Sequence, residues 1–211
     1  MTGLDRNWNL CNTRDEKDRR WVGVCVDNIK NTIDNKKYDF ILLQEATNYK
    51  KLIEGSKYLK HMQYLHSKSG KDEIITFWNK KYIPLNYKYG EFKRGRPWQY
   101  VEFKEFTLIN IHAPHISLDN LLLHLAEIIN HINNRIIIGG DFNNMIDKKK
   151  IKINGRTFYN DNKMLYTCCQ PNNLHYYFDH IIDTKKTPHI NIKKVKLLSS
   201  DHLPITGRLS I

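Results

Sequence analysis

The chain repeats one pattern: a short, nearly continuous apolar run that stops abruptly at one or two polar residues. Phe40-Ile41-Leu42-Leu43 stops at Gln44-Glu45, Phe106 to Ile111 stops at His112, and Arg135 to Gly140 stops at Asp141-Phe142-Asn143. Ile74 to Trp78, Gln99 to Phe103, Tyr176 to Ile182 (carrying Asp179) and Val195 to Leu198 (leading into Asp201-His202) have the same β-branched character. Such runs predict strands, and their near-continuous apolarity predicts sheets covered on both faces. Two stretches change to a 3.6-residue period and predict helices. Trp21, Val22, Cys25, Val26 and Ile29 form one stripe between Asp18 and Ile33; Leu121, Leu122, Leu125, Ile128, Ile129 and Ile132 form another between Leu118 and Ile132. With strands in excess, sheet packed on sheet with helices outside is the economical arrangement. The polar segment Asp147 to Asn173, which shows no period, is expected to be a surface excursion near the site.

No repeat and no Gly/Ser-rich linker divides the chain, so a single domain over 1–211 is expected. A chain of this length buries about 70% of its unfolded surface and needs no staples. Charge changes the picture more. Thirty-four Lys and Arg stand against 22 Asp and Glu, a formal +12, which concentrates polyanions at the surface. The basic runs Lys93-Arg94-Gly95-Arg96, Lys148 to Lys152, Lys185-Lys186 and Lys193 to Lys196 flank the polar strand ends. Nucleic acid is therefore the expected partner, DNA rather than RNA, bound by a monomer. The four cysteines, Cys11, Cys25, Cys168 and Cys169, show no C-x-x-C zinc spacing. Reduced thiols are expected. The opening residues lack the apolar core of a signal peptide, and no run approaches the length of a membrane span. An intracellular protein, cytoplasmic or nuclear, is the expectation.

In so basic a chain, acids at the ends of buried strands need a reason. Glu45, Asp141, Asn143, Asp179, Asp201, His112 and His202 all border apolar runs. Carboxylates and carbonyl oxygens are the hard ligands that Mg²⁺ or Mn²⁺ takes, with Ca²⁺ also compatible. Imidazoles beside carboxylates suit acid/base chemistry near neutral pH. Each feature alone has an ordinary reading: Gly139-Gly140-Asp141 and Ser199 to Pro204 as turns, Gln44-Glu45 as a helix cap, His112 as a core histidine. Independent turns do not explain five strands ending in this order.

That order resembles the endonuclease/exonuclease/phosphatase superfamily, whose branches include DNase I-like nucleases. Trp8-Asn9, Leu42-Leu43-Gln44-Glu45, Asn110-Ile111-His112, Gly140-Asp141-Phe142-Asn143, Phe178-Asp179-His180-Ile181 and Ser200-Asp201-His202-Leu203-Pro204 look like its successive motifs. The resemblance runs from about Asn7 to the C-terminus. It implies a four-layer α/β sandwich, two mainly antiparallel sheets face to face with helices on both outer faces. It implies that Glu45 ligates a divalent metal with Asn9 close by and Asp201 contributing. Asp141 and Asn143 would position the attacking water and the scissile phosphate. His202, oriented by Asp179, would act as base or phosphate ligand.

Two further residues resemble the pancreatic DNase branch. Glu73 falls where that branch pairs an acid with the histidine corresponding to His112, and Arg96 where it aims a basic residue at phosphate, flanked here by Phe92 and Trp98 as groove aromatics. The implied function is metal-dependent hydrolysis of phosphodiester bonds in nucleic acid. The same centre also serves 5′-tyrosyl-DNA phosphodiesterases and inositol or lipid phosphatases. A degenerate fold that binds nucleic acid without cleaving it is the remaining alternative.

Overall fold

The apolar runs do form strands, and these build two sheets that face each other. The structure, a computed structural model, describes residues 24–46, 49–93, 95–160, 167–168, 176–186, 190–192, 202 and 204–208. Its helices are α1 (Val24–Asp34), α2 (Tyr49–Gly55) and α3 (Leu118–Ile129). Strands β1 (Phe40–Leu43), β2 (Gln63–Ser69) and β3 (Asp72–Trp78) form an antiparallel sheet in the order β1-β3-β2. The larger sheet runs β4-β5-β6-β7-β10-β9-β8. Its members are β4 (Asn86–Phe92), β5 (Arg96–Glu102), β6 (Phe106–His112), β7 (Arg135–Asp141), β8 (Lys150–Ile153), β9 (Arg156–Asn160) and β10 (Asp179–Asp183). All its pairs are antiparallel except β6 with β7, between which α3 supplies the crossover that parallel neighbours require. A separate ribbon pairs β11 (Ile190–Ile192) with β12 (Ile205–Gly207).

Burial follows the sequence pattern in four layers. Val26 and Ile33 of α1 and Leu52 of α2 pack on Ile41, Ile75 and Phe77, the outer face of the small sheet. Leu121, Leu125, Ile128 and Ile129 of α3 pack on Ile109, Ile111, Ile136 and Ile138, the outer face of the large one. Val101, Phe103, Phe106, Leu108 and Ile137 meet Trp78, Phe40 and Leu42 between the sheets. Because β6 and β7 are buried on both faces, their sequences do not alternate. The four-layer sandwich is the architecture expected. Ser117 caps α3 by accepting a hydrogen bond from the Asn120 backbone N–H, and no described helix is long and apolar enough to cross a membrane.

A polar seam interrupts the apolar interface and sets its register. Gln99 donates to Ser67 Oγ at 3.0 Å and accepts from Thr76 Oγ1 at 2.7 Å. Asn110 donates to Thr76 Oγ1 and to the Ile75 carbonyl, each at 3.1 Å, and accepts from Gln44 Nε2 at 2.7 Å. In a low-dielectric interior, sliding one sheet over the other would strand all these groups.

Sequence and structure differ where strands lie at edges. β2 and β4 end their sheets and are polar, so apolar runs do not announce them. Within Asp147 to Asn173, the expected excursion contains the hairpin β8–β9, turned on Asn154 and Gly155 at φ 48° and 75°. Asn-Gly is the signature of such a two-residue turn, and Ile151, Ile153 and Phe158 bury beside α3. The helix expected from Asp18 is described from Val24. The strand expected at Val195 to Leu198 lies outside the described residues. Cys168 is disulfide-bonded, which corrects the expectation of reduced thiols at that position.

Gly140 shows how closely the strands approach. At φ 136°, a Cβ on it would stand 2.1 Å from the Ile111 carbonyl oxygen, whereas one on Gly155 would meet nothing within 4 Å. Gly140→Ala is expected to cost about 3 kcal/mol or more through strain plus collision, and Gly155→Ala about 1 kcal/mol through strain alone. Urea unfolding of the two variants checks the difference.

Candidate active site

The sheet registers bring polar strand ends to one edge of the sandwich. β6 and β7 end together, so His112 lies opposite Asp141. β10 starts where β7 ends, so Asp179 also lies opposite Asp141. Asp72 opens β3, Arg96 opens β5, and Glu45 follows β1 at φ 52°, a left-handed conformation uncommon for a non-glycine residue. The Ala46 N–H donates to the Glu73 carbonyl at 2.8 Å and anchors that turn.

Two imidazoles flank Asp141, each backed by another carboxylate. His202 Nδ1 lies 2.8 Å from Asp179 Oδ2, and its Nε2 lies 4.0 Å from Asp141 Oδ2. His112 Nδ1 lies 2.7 Å from Asp72 Oδ2, and its Nε2 lies 3.4 Å from the same Asp141 oxygen. The backing carboxylates accept from Nδ1–H and so direct Nε2 of both rings inward. Arg96 Nη1 donates to His112 Nε2 at 2.8 Å and to Asp72 Oδ2 at 3.1 Å, and stands 3.8 Å from Glu45 Oε1. Asn143, at φ 47°, gives its backbone N–H to Asp141 Oδ1 at 2.7 Å and its side-chain amide to the Ala113 carbonyl at 2.8 Å.

Asp141 is 5% exposed. Burial pushes its carboxyl up to about 6, and the Asp179 charge adds to the rise, while His202, His112 and the Asn143 N–H oppose it. A carboxylate without enough compensating charge prefers to hold a proton.

The same shortage of positive charge bears on a metal. Among the described residues Asp72 Oδ1, which is buried, has no hydrogen-bond partner, and Glu45 lies nearby with its side chain 46% exposed. All-oxygen donors around an acidic pocket fit a hard divalent cation. Of the predicted ligands, Glu45 is described, whereas Asn9 and Asp201 lie outside the described residues. Among the described residues no three His, Cys, Asp or Glu side chains form a ready metal cluster.

Glu73 is not beside His112. It bonds His66 Nε2 at 3.0 Å and Lys68 Nζ at 3.3 Å, and Asp72 takes the expected place. Successive strand residues face opposite ways, so a shift of one position exchanges the two faces. Phe92 and Trp98 depart from expectation too. Phe92 is buried, and Trp98 packs over Gly90, where a Cβ would stand 2.6 Å from its ring.

Sequence reasoning also missed supporting groups. His180 is fully buried, and burial holds its imidazole below the usual range; its Nε2 meets the Asn144 carbonyl at 3.0 Å and braces the turn carrying Asn143. Thr167 Oγ1 accepts from the Asp179 N–H at 3.2 Å, and Cys168 Sγ lies 3.2 Å from His202 Nε2. At the rim, desolvation and the charges of Arg96 and His112 lower the pKa of His115; its place three residues after His112 was the available signal.

No protein-family model matches the chain. It is 28% identical over 242 residues to an uncharacterized protein of Acanthamoeba polyphaga mimivirus, covering 98% of this chain and 47% of that protein. The chain thus spans about half the length of this curated relative. Among solved structures it is similar to truncated TDP2 of Caenorhabditis elegans, at 17% identity and TM-score 0.63 over 92% of each chain. It is also similar to the 3′ phosphatase NExo of Neisseria, solved with a product DNA hairpin, at 12% identity and TM-score 0.67 over 90% and 95% of the chains. An endonuclease/exonuclease/phosphatase family protein of Leptotrichia buccalis matches at 14% identity and TM-score 0.67 over 90% and 96%. These likenesses show a shared fold, an α/β sandwich of the DNase I-like type.

The buried Asp141 predicts a pH dependence for metal-free protein. Its folded pKa lies above its unfolded value, so the native state binds the proton more tightly between about pH 4 and 6. Stability is expected to fall as pH rises through that window, by at most about 3 kcal/mol. Asp141→Asn should flatten the dependence and unfold later than the native chain at pH 7, as measured by urea midpoints in EDTA.

Proposed function

We propose that the chain is a divalent-metal-dependent phosphodiesterase that hydrolyses nucleic acid, DNA in preference to RNA. The observation that carries this reading is the placement of two carboxylate-backed imidazoles on either side of one buried aspartate, with Arg96 alongside. The net charge of +12 supports a polyanionic substrate. The fold supports phosphoester hydrolysis in general, and the similarity to a phosphatase solved with DNA supports a nucleic-acid substrate.

Each group has a task that follows from its surroundings. Arg96 presents a guanidinium to a non-bridging phosphate oxygen, the planar donor that suits it. Asn143 holds Asp141 Oδ1 by its N–H, which leaves Oδ2 toward the imidazoles to position the attacking water. His202, with Nδ1 held by Asp179, takes the water proton at Nε2 as the oxygen closes on phosphorus. The bond to the leaving oxygen breaks on the opposite side, and that oxygen takes up a proton from solvent water. Glu45, with Asn9 and Asp201, would hold the divalent cation, which supplies positive charge to the phosphate oxygens when bound.

Incubating supercoiled plasmid and labelled oligonucleotides with Mg²⁺ or Mn²⁺ tests the proposal. Cleavage is expected to disappear in EDTA, and His202→Ala should lower kcat/KM by about 10²–10⁴-fold. A native preparation that leaves DNA and RNA intact with every divalent metal would overturn it. Release of phosphate from a 3′-phosphorylated end faster than internal cleavage would favour an end-processing role instead. The pairing seen at His112 gives a second outcome. Asp72→Asn is expected to reduce kcat/KM by about tenfold or more, whereas Glu73→Gln, on the opposite face, should change it less than about twofold.

A further inference from the structure

Of the aromatic residues expected in a groove, Phe92 is buried and Trp98 packs half-buried against the same core, but the same hairpin carries a second aromatic pair that does not. β4 is the terminal strand of the large sheet, and Tyr87 and Tyr89 on it are 58% and 59% exposed. Leu85 and Ile83, just before them, are more exposed still. Four large apolar side chains exposed within seven residues of a highly charged chain are the kind of surface a contact site presents. Tyr87 pairs with Val101 and Tyr89 with Gln99, so both rings lie on the face that elsewhere packs against the small sheet. That cover ends nearby: Ser69 Oγ of β2 donates to Glu91 Oε2 at 2.6 Å, and the next two positions of the same alternation, Tyr89 and Tyr87, are bare.

We propose that Tyr87 and Tyr89 form a stacking track for single-stranded nucleic acid running from the active site, an inference that rests on the nucleic-acid reading above. Continuity with the site supports it. β4 ends at Phe92, whose partner is Arg96, so at about 3.3 Å per residue the two tyrosines stand about 10 Å and about 17 Å along the strand from the Arg96 backbone, whose guanidinium reaches across to Asp72 of the facing sheet at 3.1 Å. Charge supports it as well. Between Asn79 and Arg96 the sequence holds six Lys or Arg and one Glu. Lys81 is paired with Asp39 at 2.8 Å, while Lys80, Lys88 and Lys93 are exposed.

Spacing selects the form of the ligand. Two strand residues apart is about 7 Å, twice the spacing of about 3.4 Å along one strand of a duplex. Successive bases reach successive rings only in a strand drawn out of helical stacking. Paired bases keep their faces covered and offer nothing to stack upon, and aromatic stacking of this kind is tolerant of sequence.

Fluorescence anisotropy in EDTA, where no cleavage intervenes, measures binding of a twelve-nucleotide oligothymidylate and of a duplex of equal length. The Tyr87→Ala/Tyr89→Ala variant is expected to bind the single strand about tenfold or more weakly, with duplex binding unchanged. Tyr87→Trp/Tyr89→Trp should retain the native affinity, because the ring rather than the hydroxyl makes the contact. Absence of single-strand binding by the native chain, equal affinity of native and alanine variants, or equal loss on single strand and duplex would each overturn the track. So would a native dimer in sedimentation that the alanine variant dissociates, which would assign the face to a second copy. The catalytic reading fails separately, if the native chain binds the oligothymidylate but never hydrolyses it once metal is restored.

Discussion

A carboxylate buried where water would otherwise solvate it is the constraint around which this molecule is arranged. Asp141 sits at the end of β7 with Asp179 directly opposite, and their mutual repulsion in a dry interior would by itself unsettle both strand ends. Opposing charge and hydrogen bonds must come from neighbours. Here they come from two imidazoles and a backbone N–H, each delivered by a different element. Asp72 Oδ1 finds no partner among the described residues. An anionic site still short of positive charge is the premise of the proposed metal-dependent reading.

The sandwich makes that crowding tolerable. The edge of the two sheets is a place where one parallel and several antiparallel strands present carboxyl and amino ends together, so polar residues meet without being threaded through the core. Behind them, the seam of Gln99, Asn110, Thr76 and Ser67 locks the sheets in register and ties Gln44, and with it the turn bearing Glu45, to β6. Gly139 and Gly140 allow close approach at the same place: side chains there would strike Leu42 of the facing sheet and the Ile111 carbonyl. Stability and site geometry therefore share residues, and a fault in the seam would be felt at the pocket.

Much of the pocket was legible before any coordinates. Apolar runs that stop at Glu45, His112 and Asp141 name strands and their polar ends at once, because a buried strand reveals its limits by composition; Asp179 instead opens β10. The pairing of His202 with Asp179 came from a resemblance and stands in the geometry at 2.8 Å. What was misread lies in the alternation of one strand. Asp72 and Glu73 are adjacent acids, and only the register of β3 against β2 determines which faces the pocket. The edge strands β2 and β4 were equally hidden, since a strand with one wet face and few neighbours does not need an apolar run.

By itself, then, the sequence determined the alternation of buried strands and amphipathic helices, the positive charge, and the residue types at the strand ends. Those follow from local hydrophobic patterning, which each segment carries regardless of its partners. Tertiary structure alone decided that Asp72 rather than Glu73 backs His112, that Phe92 and Trp98 pack on the core while Tyr87 and Tyr89 are surface, and that burial raises the pKa of the Asp141 carboxyl. Each of these depends on which strands become neighbours and which way their faces turn, quantities set by packing between segments distant in the chain.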